Sequence, residues 1–291
     1  MAITTSIRGF FWSAFTARCR VVCVALLAMV LLTGCWVRLV YGNADNLLRW
    51  RIDHFFDLSS EQLKFVDARL AEQLQWHRNE ELPKTIEFLR HVQTVAKTSI
   101  TTDELDSLFA DFDVRLSVLI HHVATDAAAL FAQLDDQQVA YLERALAKSN
   151  DEWEDIRKQE PEIRRAKRIE RILGYVEDWI GDLDPAQHEQ LATASDRIPD
   201  NFDAWLDYRK ERQRQFVIIV QTARIDPEVV SVALPSWLAA PPPLEFRDHS
   251  QSVRKFILEV ERIATPKQRA YFFDKLQHWI DDLAAFTQKS N

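Results

Sequence analysis

The chain has 291 residues, 47% of them hydrophobic and 27% charged, enough length and apolar content for one large or two modest domains with a real core. Its formal net charge of −8 argues against nucleic acid or anionic headgroups as partners. Glycine occurs only five times; that excludes folds built on tight hairpins and phosphate-cradling loops and, beside abundant Leu, Ala, Glu, Gln and Arg, predicts an all-α protein.

Residues 1–20 carry Arg8, Arg18 and Arg20 and no acid. The apolar run that follows, Val21 to Leu32, is 12 residues long. A membrane span needs about 20, so this reads as the core of a signal peptide. It ends in Leu32-Thr33-Gly34-Cys35, which resembles the bacterial lipobox L-[AST]-[GA]-C at every position. The resemblance implies cleavage between Gly34 and Cys35, a diacylglycerol thioether on Cys35, and an acyl chain on its new amino group. Two or three such chains anchor a protein stably. Trp36, where Asp would signal retention, implies the outer membrane of a Gram-negative cell, with the body facing the periplasm. An uncleaved anchor helix is the competing reading. Cys19 and Cys23 lie in the leader, so the mature chain is expected to have no disulfide and no cysteine metal site. Without residues 1–34 there remain 33 basic and 44 acidic residues, a net charge of −11.

The mature region is divided at 35–43, a lipidated tether, then 44–174 and 175–291. Four strings punctuate it: Leu58-Ser59-Ser60-Glu61-Gln62, Leu134-Asp135-Asp136-Gln137-Gln138, Leu183-Asp184-Pro185-Ala186-Gln187 and Ala264-Thr265-Pro266-Lys267-Gln268. Each sets Ser, Asp or Thr three residues before Gln, the capping-box arrangement that starts a helix. Beyond Thr101, Leu105, Leu108, Phe109, Phe112, Leu116, Leu119, Ile120, Val123, Leu130, Phe131 and Leu134 recur at helical spacing. They predict one long amphipathic helix of about nine turns. Val139, Leu142, Leu146, Trp153 and Ile156 mark the next helix, and further ones are expected over residues 161–181, 185–197, 200–224, 248–264 and 266–288.

The caps repeat. Ser59 and Asp184 lie 125 residues apart, as do Thr101 and Asp226, whereas Asp135 and Thr265 lie 130 apart. This predicts an elongated antiparallel helical bundle in two tandem halves joined near Gly174. Chance spacing of common cap residues is the alternative. The extra residues fall at Leu234 to Phe246, where Pro241-Pro242-Pro243 predicts a stiff polyproline segment. Trp237 and Phe246 beside it either pack on the bundle or meet a partner.

No hydrolase, metalloprotease, P-loop or dinucleotide motif is present. His121 and His122 are neighbours that point about 100° apart on a helix, and His77 with Glu80 and Glu81 lacks a third ligand. No metal, cofactor or catalytic set is expected. Arg164, Arg168 and Arg171 form one stripe, with Arg157 a heptad earlier. Interspersed glutamates allow a plain salt-bridged face, while the guanidinia would also suit a carboxylate- or phosphate-bearing partner.

Cys35 to Asp45 (CWVRLVYGNAD), Phe55 to Leu58 (FFDL) and Trp76-His77-Arg78 followed by Glu81-Leu82-Pro83 together resemble a proteobacterial lipoprotein family catalogued as a domain of unknown function (DUF6279). Gly42 replaces the family's usual Asn. The resemblance implies a helical, membrane-tethered periplasmic protein and no known activity. The Leu-x-x-x-Gln caps are also similar to the Leu-Thr-x-x-Gln motifs of periplasmic stress chaperones, although cap chemistry alone generates that string. These features lead us to expect a non-enzymatic, lipid-anchored module that binds another envelope protein, with chaperone-like action. The alternative is an envelope hydrolase acting on peptidoglycan or lipid, whose site converges only in three dimensions.

Overall fold

The computed structural model describes residues 40–287, among which helices occur and strands do not. The first half contains α1 (Ala44–Phe56), α2 (Ser60–Trp76), a π-helical turn (His77–Glu81), α3 (Leu82–Val95), α4 (Thr102–Phe131) and α5 (Asp136–Lys148). A short α6 (Asp151–Arg157) leads to α7 (Pro161–Ile180), α8 (Pro185–Ser195) and α9 (Phe202–Ala223). Next come α10 (Pro227–Ala239), a 3₁₀ turn (Leu244–Phe246), α11 (Arg247–Ile263) and α12 (Pro266–Thr287). The fold is an all-α helical bundle.

The cap residues do more than start helices. Ser59, Asp135 and Asp184 each accept from the N3 amide while the N3 Gln returns to the cap amide, and Thr265 does the same with Gln268. The Gln side chains then meet in pairs. Gln62 and Gln138 exchange amide hydrogen bonds of 3.0 and 2.7 Å. Their remaining N–H groups donate to the carbonyls of Gln133 (2.8 Å) and Asp57 (2.9 Å). Gln187 and Gln268 repeat this at 2.9 and 3.0 Å, donating to Ile263 and Asp182. Each pair closes the N-termini of two distant helices onto each other and leaves no amide group of the pair wasted inside the core.

The two halves interlock. Phe216, Val217 and Val220 of α9 enter a core built by α1, α2, α4 and α5, beside Phe55, Phe56, Phe131 and Leu142. In return Leu82, Ile86 and Leu89 of α3 pack on Leu276, Trp279 and Ile280 of α12. A third cluster joins α7, α8 and α11 through Leu173, Leu191 and Phe256. Side chains of this size contribute roughly 1.5–3 kcal/mol each on full burial. The first two clusters join early helices to late ones, while the third is formed by the later helices alone.

Two expected features gain detail in the structure and one expected position is corrected. The stripe on α4 is buried only at its ends, through Leu105, Leu108, Leu130 and Phe131; between Phe112 and Val123 no side chain is buried. The cause is that α10 and α11 are shorter than α4 and leave its middle part-covered. The Pro241-Pro242-Pro243 run is extended, as expected. Helix α10 carries Pro235 inside it and runs to Ala239, so only Ala240 to Pro243 is extended. Gly174, the expected joint, lies within the continuous helix α7; the break in the chain is upstream, at residues 158–160.

Candidate functional site

The π turn is produced by its own sequence. Pro83 has no N–H for the carbonyl of Asn79, and its ring presses on that carbonyl, so a regular helix cannot pass here. The chain widens by one residue instead, and the Leu82 amide bonds to the His77 carbonyl. Thr85 Oγ1 donates to the Glu81 carbonyl at 2.9 Å, and Lys84 pairs with the buried Glu81 carboxylate at 2.6 Å. Such turns recur at functional sites because they re-aim side chains.

Here the re-aimed side chain is His77. Its Nδ1 lies 2.7 Å from the hydroxyl of Tyr41, the residue six positions after Cys35. Tyr41 also packs on Phe286 of α12, ring centroids 4.7 Å apart, and Arg78 lies over its ring at 5.9 Å. Burial pushes the Tyr41 phenol up to about 12, against the opposing pull of Arg78. Burial also lowers the His77 pKa, with Glu81 opposing that shift and Arg78 adding to it. Both groups are thus neutral, which suits donation by the Tyr41 O–H to an unprotonated Nδ1. Trp76 meanwhile stacks flat on His122 of α4 at 3.5 Å. The W-H-R…E-L-P string therefore forms a dock for Tyr41.

A second feature is a cleft of about 650 Å³ between α6, α7 and the start of α9, lined by Glu152, Asp155, Arg164, Lys167, Arg168, Arg171 and Asp200, among others. Arg164 pairs with Asp203 at 2.9 Å, and Arg168 donates to the Ile198 carbonyl at 2.7 Å. Arg157 grips Asp207 through two bonds of 2.9 and 3.4 Å, and Arg165 pairs with Asp196. The stripe is thus largely an inter-helix salt-bridge ladder, with Arg171 exposed at its rim.

Phe246 is buried and Trp237 half-buried, both packed on the bundle. Phe246 is 7% exposed and packs beside Trp205, Leu206 and Tyr208. Trp237 packs against the first core, its Nε1 donating to Gln215 at 3.0 Å while the Arg212 guanidinium lies 3.6 Å over its ring. Aromatics beside a proline run pack inward here because α9 offers them both an apolar wall and hydrogen-bond partners. Gly34 and Cys35 lie outside the described residues. Among the described residues no three His, Cys, Asp or Glu side chains form a group able to hold a metal ion.

Sequence reasoning missed a buried polar network. Arg209 of α9, 0% exposed, donates to Asn150 Oδ1 at 2.7 Å and Ser149 Oγ at 3.0 Å. Asn150 in turn donates to Gln213 at 2.7 Å. The signal was Arg209 and Gln213 one turn apart on the core face of α9, opposite a Ser-Asn helix junction. The exposed apolar residues were missed as well. Ile218 lies in the last turns of α9, Ile225 in the turn after it, Val229 and Val232 in the first turns of α10, and Val114, Val118 and Leu119 on the part-covered stretch of α4. An 18-residue window of α4 has mean hydropathy 1.3 and is only 22% buried, so this helix is long and apolar enough to cross a membrane by length and composition.

Residues 54–249 match the family of unknown function DUF6279. The chain belongs to this family. The matched span takes in the F-D-L turn, the π turn with its W-H-R…E-L-P string, the arginine stripe and the buried network, and begins after Tyr41. No curated protein and no solved structure matches the chain.

Proposed function

We propose that this member of DUF6279 is a lipid-anchored envelope protein of a Gram-negative bacterium, tethered to the outer membrane through Cys35 and facing the periplasm. Its helical body, built from two halves of common origin, binds another envelope protein or a client chain without catalysing a reaction. The observation that carries this reading is the short connection between the lipobox and the body: six residues after Cys35, Tyr41 is fixed in the His77 dock. Such an arrangement serves a tether. The exposed apolar residues of the α9–α10 junction, Ile218, Ile225, Val229 and Val232, supply a surface of the kind proteins bury on association. The chaperone-like aspect draws on the capped Gln motifs and on this surface.

Replacement of Cys35 by Ser tests the anchor. Incorporation of labelled palmitate should cease and an uncleaved precursor accumulate; label retained by the variant would refute the lipoprotein reading. Crosslinking in intact cells from Ile225→Cys tests the binding role. An envelope protein should be captured above the level seen from an exposed polar position, and equal recovery from both would count against it.

The cleft favours a second reading, an envelope hydrolase acting on peptidoglycan or lipid. It gathers Glu152, Asp155 and Asp200 opposite Arg164, Arg168 and Arg171 from separate segments, a combination able to hold a charged substrate beside a carboxylate acid or base. Turnover of such a substrate that is abolished by Glu152→Gln or Asp155→Asn would replace the first reading with this one.

A further inference from the structure

The start of α1 is uncovered. Leu47, Leu48 and Trp50 are 47%, 44% and 51% exposed, although they begin the helix whose other end, Phe55 and Phe56, is core. The repeat makes this unusual. The 125-residue offset from Gln62 to Gln187 places Leu48 opposite Leu173, which is 2% exposed within the third cluster, and Leu47 opposite Ile172, which packs against that cluster. The same helix is therefore covered in one half and bare in the other, and the bare copy is the one next to the tether.

We propose that the exposed first turns of α1 seat on the lipid surface, with Leu47, Leu48 and Trp50 entering the interfacial layer. This rests on the reading of Cys35 as the lipidated residue. The occupant follows from the length of chain. From Cys35 to Tyr41 the fully extended backbone reaches only about 20 Å, and Tyr41 is held in the His77 dock. Only Gly42 and Asn43 separate Tyr41 from α1. A body held so near the bilayer presents the first turns of α1 to it, whereas the α9–α10 surface has no such connection to the tether. The chemistry agrees. Leucines with a tryptophan suit the boundary between headgroups and acyl chains, and Trp50 is backed by His54, stacked at 5.6 Å. Arg49 stands between Leu48 and Trp50 but pairs with Asp67 of α2 at 2.8 Å, which draws its charge toward the body. The Tyr41 dock and the α1 turns then act as two points of attachment that set the orientation of the bundle, so that its binding surfaces face a fixed direction.

The test uses the processed, lipidated protein in vesicles of phosphatidylethanolamine and phosphatidylglycerol. An environment-sensitive fluorophore is placed through Leu48→Cys and, as a control, through Ile225→Cys. Lipids bearing a nitroxide on the acyl chain serve as quencher. The fluorophore at residue 48 should lose emission and shift to the blue, while that at 225 should do neither. Intact mass reports the acyl chains independently. Acyl chains present with no quenching at 48 would overturn this inference and leave the anchor standing. A fluorophore at 48 that is shielded from water yet not quenched would mean a protein, not lipid, covers the turn, and would overturn it equally. Acyl chains absent would remove the anchor, and with it the argument made here from the tether. Leu47→Ser with Trp50→Ser, added to the labelled Leu48→Cys protein, supplies a second measurement: the quenching at 48 should weaken while the lipid keeps the protein on the membrane.

Discussion

Gln62 and Gln138 lie 76 residues apart and face each other as a reciprocal amide pair, each also closing its own capping box. One side chain thus performs a local and a long-range task. Its Oε1 ends a helix, and its Nε2 binds the opposite loop. Because Gln187 and Gln268 repeat the arrangement, the fold is held by two copies of one device.

Gln138→Ala should cost about 2–4 kcal/mol, since it removes several hydrogen bonds and strands the Asp57 carbonyl and the Gln62 amide inside the protein. Gln138→Glu keeps the shape but replaces the Nε2 donor with an acceptor facing the Asp57 carbonyl and Gln62 Oε1. It should destabilise at neutral pH and recover as the carboxyl protonates in acid. Urea denaturation of the single and double variants checks this. If the pair acts as a unit, Gln62→Ala with Gln138→Ala will cost clearly less than the sum of the two.

The helical class and most helix limits were legible because caps and periodicity are local signals. Thr101 and Asp226 start α4 and α10 as their side-chain chemistry requires. Which helix covers which was not legible. The spacing of Phe112, Leu116 and Val123 reports an apolar face, but nothing in it says that α10 and α11 leave that face half open. Trp237 and Phe246 left two readings open for the related reason that an aromatic beside prolines looks the same whether it turns inward or outward. The dock of Tyr41 on His77 depends on a π turn set by Pro83. The string was noticed, and its geometry was not.

The dock should loosen in acid. Burial holds the His77 pKa below its ordinary 6.5, with Glu81 as a partial counterweight and Arg78 reinforcing the shift. Below the unfolded value the unfolded chain binds a proton that the folded imidazole refuses, so stability is full above about pH 6.5 and declines as pH falls toward the folded pKa. His77→Phe removes this dependence. Proteolysis near Tyr41, followed between about pH 7.5 and pH 5, should accelerate in the parent and stay flat in the variant.

Two backbone positions just before the caps predict opposite effects. Gly181 ends α7 at φ 81°, ψ −176°, a region essentially reserved for glycine. A Cβ there would meet the Tyr271 ring at an ordinary 3.7 Å, so the cost of Gly181→Ala is backbone strain, about 1–3 kcal/mol. Asp57 ends α1 at φ 50°, in the left-handed region that glycine adopts more easily. Its replacement by Gly should therefore change stability by no more than about 1 kcal/mol. Thermal midpoints that fell equally for both would contradict this account.

Arg209 gives the sharpest stability test. Its pKa is lowered to about 9, first by burial and then by the neighbouring Arg51. The folded state therefore disfavours its charge, and because a guanidinium stays protonated in proteins this is a standing cost of burying it. The guanidinium is retained because it supplies Asn150 Oδ1 and Ser149 Oγ with donors. Arg209→Ala should cost about 3–5 kcal/mol, combining a cavity with stranded acceptors. Arg209→Met fills most of the volume but still strands Asn150. Adding Asn150→Leu and Gln213→Leu removes the stranded groups, and that triple variant should recover most of the loss. If Arg209→Met alone were as stable as the parent, the network would be incidental to the packing of α9 on the α5–α6 junction.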